Sequence, residues 1–141
     1  MIECICNGKY KIPALAVDAI IREKEKIVLI KRGKEPFKGR WALPGGFVKE
    51  GEKTTQAISR EVEEETNLKI EIKNLVGVYS DPNRDPRGHV VSVVYSSEIK
   101  EGGLEASSDA KETRLFSINE LPTLAFDHKK IIDEYKKVTI K

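Results

Sequence analysis

Glu50, Glu52, Glu61, Glu63, Glu64 and Glu65 all fall within GGFVKEGEKTTQAISREVEEETNL, the stretch from Gly45 to Leu68. Its second half has the composition of a helix, yet like charges three or four residues apart weaken a helix by roughly 0.2–0.5 kcal/mol per pair. At 100° per residue, Glu61, Glu64 and Glu65 share an arc of about 100° while Glu63 points away. Ile58 and Val62 flank that arc and can dock the helix on a sheet. Hard divalent cations, Mg²⁺ or Mn²⁺, want such oxygen ligands, and Mg²⁺ takes one or two carboxylates together with phosphate oxygens and water. A bound dication would convert the repulsion into attraction. The alternative is a solvated acidic face, but those interleave lysine with glutamate, and 61–65 contains no lysine.

The neighbours of the acids suit the same chemistry. Arg60 can steer a carboxylate by a bidentate bond. Gly45 and Gly46 fit a turn that lets a backbone carbonyl approach an ion. Thr54 or Thr55 can cap the helix at its start. Asn67 stands where a left-handed residue should end it, and Asn is second only to Gly there.

Around this helix the chain alternates between strand patterns and turn residues. Ile12 to Glu23 places Leu15, Val17, Ala19 and Ile21 at period two, and Ile27 to Arg32 is a β-branched run, so two antiparallel strands are expected. GKEPFKGRWALPGG reads as a loop. Leu68 to Tyr79, His89 to Ile99 and a short TRLFSI segment read as strands, separated by DPNRDPRG and by a polar loop from Glu101 to Glu112. Asp127 can cap a last helix whose inner side carries Ile131, Ile132 and Tyr135. The order β-β-loop-α-β-β-loop-β-α points to an α/β or α+β sandwich with helices on the faces of a mixed sheet.

With 141 residues and a net charge of +2, residues 1–141 read as a single domain with no bulk signature of nucleic-acid binding. Cys4 and Cys6 lack zinc-site spacing and read as reduced thiols on an early strand. Neither a signal peptide nor an apolar run of about 20 residues is evident, so no membrane partner and a cytoplasmic location are expected.

Gly46, five residues, Glu52, seven residues, then Arg60-Glu61-Val62-x-Glu64-Glu65-x-Asn67-Leu68 resembles the Nudix box. The family has Gly where this chain has Asn67. YSDPNRDPRGHVVSVVY and LAFDH resemble the ADP-ribose pyrophosphatase branch. The resemblance implies a Nudix fold, an α/β/α sandwich, and metal-dependent hydrolysis of a nucleoside diphosphate linked to another moiety, most simply ADP-ribose to AMP and ribose 5-phosphate. It implies a site with Glu61, Glu64, Glu65 and the Gly45 carbonyl as metal ligands for Mg²⁺, with Mn²⁺ as the alternative, and with a possible homodimer. Glu64, Glu61 and Glu112 are candidates for the base that takes a proton from water, with Arg60 as a further catalytic residue. Arg32, Arg84 and Arg87 could contact phosphate or ribose, and Phe37 a base, with Trp41 and Tyr79 more weakly placed. Asp127 and His128 read as a helix cap and first-turn residue. Two rivals remain open: a Nudix hydrolase of nucleoside triphosphates or dinucleoside polyphosphates, and a non-catalytic ADP-ribose sensor. Sensors of that kind carry a winged helix, for which the roughly 25 residues after Phe116 are too few.

Overall fold

The computed structural model describes residues 11–104 and 110–139. Cys4 and Cys6 lie outside them. The elements in chain order are β1 (Ala14–Glu23), β2 (Lys26–Arg32), β3 (Trp41–Ala42), β4 (Gly45–Phe47), α1 (Thr54–Thr66), β5 (Lys69–Tyr79), β6 (Val90–Glu101), β7 (Ala110–Ser117) and α2 (His128–Thr139). A seven-stranded mixed sheet runs in the order β3-β2-β1-β6-β5, with β4 also on β1 and β7 also on β2. The β1–β6 pair is parallel, and every other pairing is antiparallel.

Side-chain alternation along β1 divides the core in two. Val17, Ala19 and Ile21 join Val28, Ala57, Ile58, Val62 and Leu68 under α1. Ile20 joins Ile27, Leu29, Val94, Ile131, Ile132 and Tyr135 under α2. The sheet is therefore sandwiched between helices, as expected. Ile58 and Val62 are fully buried, and burial of such side chains contributes about 1.5–3 kcal/mol each. That gain outweighs the like-charge repulsion on the outer side of α1. No helix among the described residues is long and apolar enough to cross a membrane.

Several elements depart from expectation. The segment read as one loop before the acidic helix contains β3 and β4; β4 is held by pairing Gly45 with Asp18 and Phe47 with Ala16, which glycine-rich sequence does not advertise. Neither Thr54 nor Thr55 caps α1. The N-cap is Lys53, whose N–H donates to Gln56 Oε1 at 2.9 Å, and the Thr54 hydroxyl instead bonds the Tyr95 hydroxyl on β6 at 2.6 Å. Glu112 lies within β7, opposite Lys31, rather than in a loop. The Asp127 carboxylate is taken up by Arg84, at 2.7 and 2.9 Å, and not by the start of α2.

The other end of α1 matches its sequence. Asn67 is left-handed at φ 66°, and its N–H donates to Glu63 O at 3.0 Å. Gly102 packs on that turn so closely that a Cβ would sit 2.4 Å from Asn67 O. Asn67→Gly should therefore shift stability by less than about 1 kcal/mol, because both residues adopt this conformation readily. Asn67→Ile should cost at least about 1–2 kcal/mol. Urea unfolding midpoints of the two variants check both values.

Candidate active site

Two glycines bring the backbone of β4 against β1 and α1. A Cβ at Gly45 would lie 2.1 Å from Val17 O, and one at Gly46 would lie 2.4 Å from the carboxyl carbon of Glu61. Side chains are thus excluded at both positions, and the Gly45 N–H donates to Glu65 Oε1 at 2.8 Å. Glu61 and Glu65 are one helical turn apart, so both reach the same side. They line a cleft of about 350 Å³ with Gly45, Gly46 and Asp18 on the floor side and Arg32 and Arg87 among its other walls.

Arg60 ties this corner together. Its Nε and one terminal nitrogen grip Glu52 at 2.7 and 3.0 Å, and the latter also donates to Phe47 O at 3.1 Å. The other terminal nitrogen donates to Glu61 at 2.8 Å and Glu64 at 3.3 Å. The hydrogen bond from Arg60 holds the Glu52 carboxyl down at about 2. Glu61 is pushed up by burial, against the pull of Arg60. Burial pushes Glu65 up to about 8, aided by the charges of Glu61 and Asp18 and opposed by the Gly45 N–H. Burial likewise lifts Asp18 to about 7, although Ser92 donates a hydrogen bond to it. Glu61 and Glu65, both desolvated and side by side in one cleft, suit a hard cation, and their oxygen donors are those that Mg²⁺ or Mn²⁺ prefers. Among the described residues no three acidic, histidine or cysteine side chains already converge as a complete ligand set, so an ion here would share its shell with water and ligand oxygens.

Cationic and aromatic side chains line the same cleft. Arg87 is oriented by two bonds to buried Asp85, at 2.8 and 3.1 Å, and its guanidinium lies over both Phe47 and Phe126 at 5.1 and 5.5 Å. Arg32 donates to Pro36 O at 2.6 Å and also covers Phe126. Arg84 borders the cleft, but its side chain is only 5% exposed and its guanidinium is bidentate on Asp127; it braces the wall.

The remaining candidates lie further out. Phe37 stands behind the wall, edge-on to Phe126 with ring centroids 4.9 Å apart. Trp41 packs on Phe116, and Tyr79 donates to Glu134. Glu64 is not among the cleft-lining residues and is joined to the site through Arg60. Glu112 is also outside the cleft, ion-paired with Arg114.

Sequence reasoning missed Asp18, Asp85, Phe47 and Phe126. Asp18 did carry a signal, a lone charge inside the apolar run ALAVDAII. Phe126 carried none, since its place depends on a left-handed backbone at φ 52°.

Comparison with known proteins identifies the family. The family model described as NUDIX domain matches residues 12–135. The chain is 54% identical over 132 residues to an ADP-ribose pyrophosphatase of Methanocaldococcus jannaschii, covering 92% of this chain and 78% of that one. The NUDIX domain of Shewanella oneidensis NrtR, solved in complex with ADP ribose, superposes with a TM-score of 0.81 at 27% identity, over 92% of this chain and 90% of that one. A bifunctional NMN adenylyltransferase/ADP ribose pyrophosphatase of Francisella tularensis, solved with AMP and a manganese ion, gives 0.82 at 28% identity, over 93% of this chain and 43% of that one. The family model and the Methanocaldococcus jannaschii relative together show that the chain belongs to the Nudix family of hydrolases.

Proposed function

We propose that this protein hydrolyses ADP-ribose to AMP and ribose 5-phosphate with the help of a divalent cation, Mg²⁺ or Mn²⁺. The observation that carries the reading is the placement of Glu61 and Glu65 in one cleft with Arg32 and Arg87, in a chain 54% identical to an ADP-ribose pyrophosphatase. Acids and cations lining one cleft suit a metal-bound pyrophosphate whose free oxygens meet guanidinium groups.

Glu61 and Glu65 would hold the cation, with Glu64 and the Gly45 carbonyl as the further candidates. When bound, it neutralises pyrophosphate charge and acidifies water. The protein's own contribution is positional. Gly45 fixes Glu65 through its N–H, and Arg60 fixes Glu61. Arg87, held by Asp85, supplies positive charge that needs little reorganisation. In the reaction, water forms a bond to one phosphorus, the bond from that phosphorus to the bridging oxygen breaks, and a carboxylate takes the proton. Glu61 lines the cleft and Glu64 adjoins it through Arg60, which favours these two over Glu112 as that base.

The likeness to NrtR bound to ADP ribose supports a second reading, a binder without turnover. Incubation with ADP-ribose, nucleoside triphosphates and dinucleoside polyphosphates in Mg²⁺, with product identification, separates the possibilities. Release of AMP fastest from ADP-ribose is expected. A faster triphosphate would displace the substrate assignment, and binding without cleavage would favour the sensor.

Glu65→Gln should lower kcat by orders of magnitude yet stabilise the metal-free protein at alkaline pH. The folded protein holds the Glu65 proton up to about pH 8, whereas the unfolded chain releases it near 4.5. Between those values the folded state binds more protons, so this group's burial erodes stability as pH rises, most fully above about 8. In chelator, the Tm of Glu65→Gln should exceed wild type at pH 8.5 and match it near pH 4.5. Arg60→Lys cannot reproduce the fork that joins Glu52, Glu61 and Phe47 O. It should lose about 10²-fold in kcat/KM through displacement of Glu61, with steady-state kinetics and circular dichroism separating activity from folding.

A further inference from the structure

Behind the acidic corner, the cleft floor holds a polar pair that the reaction above does not use. His128 opens α2, and its side chain is 4% exposed. The Leu43 N–H donates to its Nδ1 at 3.0 Å. An amide can donate only to a ring nitrogen without a proton, so the imidazole is neutral and carries its hydrogen on Nε2. Burial reinforces this state by depressing the imidazole to about 3. Nε2 lies 3.9 Å from Asp18 Oδ2, beyond hydrogen-bonding reach, and no other acceptor for it occurs among the described residues. His128 and Asp18 both line the cleft, together with apolar Ala16, Ile30, Ala42 and Leu43 and with the charges of Arg32, Arg84 and Asp85. The donor is thus aimed at the cleft beside an acceptor, with a gap between them.

We infer that His128 and Asp18 form a hydroxyl-binding subsite in the cleft floor, spaced to take one ribose hydroxyl of the substrate. Two groups 3.9 Å apart can both be reached by an oxygen about 2.8 Å from each. That oxygen accepts from Nε2–H and donates to Oδ2. A hydroxyl does both. An ionised phosphate oxygen has no proton to donate, and it would face a carboxyl group. Asp18 is held in place by the Ser92 hydroxyl at 2.5 Å, and Gly45 clears the space beside Oδ1. The inference rests on the ADP-ribose reading and adds to it a residue pair that selects for the sugar.

The test uses the wild-type enzyme with Mg²⁺, ADP-ribose, and analogues lacking one hydroxyl at a time on either ribose. Removal of one particular hydroxyl should cost about 10²-fold or more in kcat/KM, since a buried site built for a hydroxyl rejects its absence strongly. His128→Asn retains an oxygen to accept from Leu43 N–H but lacks the Nε2 donor. It should lose a similar factor on ADP-ribose and no longer discriminate against that analogue. With only two histidines in the chain, ¹⁵N spectra can also assign the His128 tautomer, expected as Nε2–H. A flat deoxy series in wild type, unchanged discrimination in His128→Asn, or an Nδ1–H tautomer would each overturn the subsite while leaving the pyrophosphatase reading intact. Failure to cleave ADP-ribose at all would overturn that reading and the subsite with it.

Discussion

Everything at the active corner depends on burying carboxylates against a backbone that has no side chains in the way. Glu65 can be almost wholly enclosed only because Gly45 presents an N–H at 2.8 Å and no Cβ. Glu61 occupies space that any residue other than glycine at 46 would claim. Desolvation raises the affinity of both acids for protons, and by the same electrostatics it raises their affinity for a dication. The chain accepts this cost where the ligand is to bind, while the apolar side of α1 anchors the helix independently through Ala57, Ile58 and Val62.

Arg60 accounts for how so acidic a helix stays together in the absence of an ion. Its guanidinium joins α1 to the preceding loop at Glu52, to β4 at Phe47 O and to the site itself at Glu61. Planarity matters here: three directions are served at once with fixed relative geometry, which a lysine ammonium on a flexible stem cannot do. The repulsion among the glutamates is thereby reduced at Glu52, Glu61 and Glu64, and Glu65 is left as the desolvated group, bonded to the Gly45 N–H and with the charge of Arg32 nearby.

The arginine-bearing part of the cleft follows a parallel logic with charges reversed. Arg84 and Asp127 pin the turn after β5 to the start of α2. This brace fixes the turn that carries Arg87 relative to Phe126. Asp85 then aims Arg87, and the two phenyl rings confine it. Two of the three arginines proposed as substrate contacts thus differ in kind: Arg84 spends its hydrogen bonds on the fold, whereas Arg87 is braced but remains at the cleft.

What could be read from the sequence was local in origin. The arc of Glu61 and Glu65, the docking residues Ile58 and Val62, the left-handed stop at Asn67 and the alternation along β1 follow from bond geometry and spacing within a few residues. The box motif likewise concentrates the acids, Arg60 and Gly46 in one continuous stretch. Tertiary structure alone decided the rest. β3 and β4 exist through pairing with distant strands, Thr54 abandons its cap for Tyr95, and Arg84 is neutralised by an aspartate 43 residues away. Asp18 and His128, from the first strand and the last helix, meet only because the sheet and α2 bring them within 3.9 Å. Such encounters depend on how the elements pack, and the energies that set them are sums over many distant contacts that no short window of sequence contains.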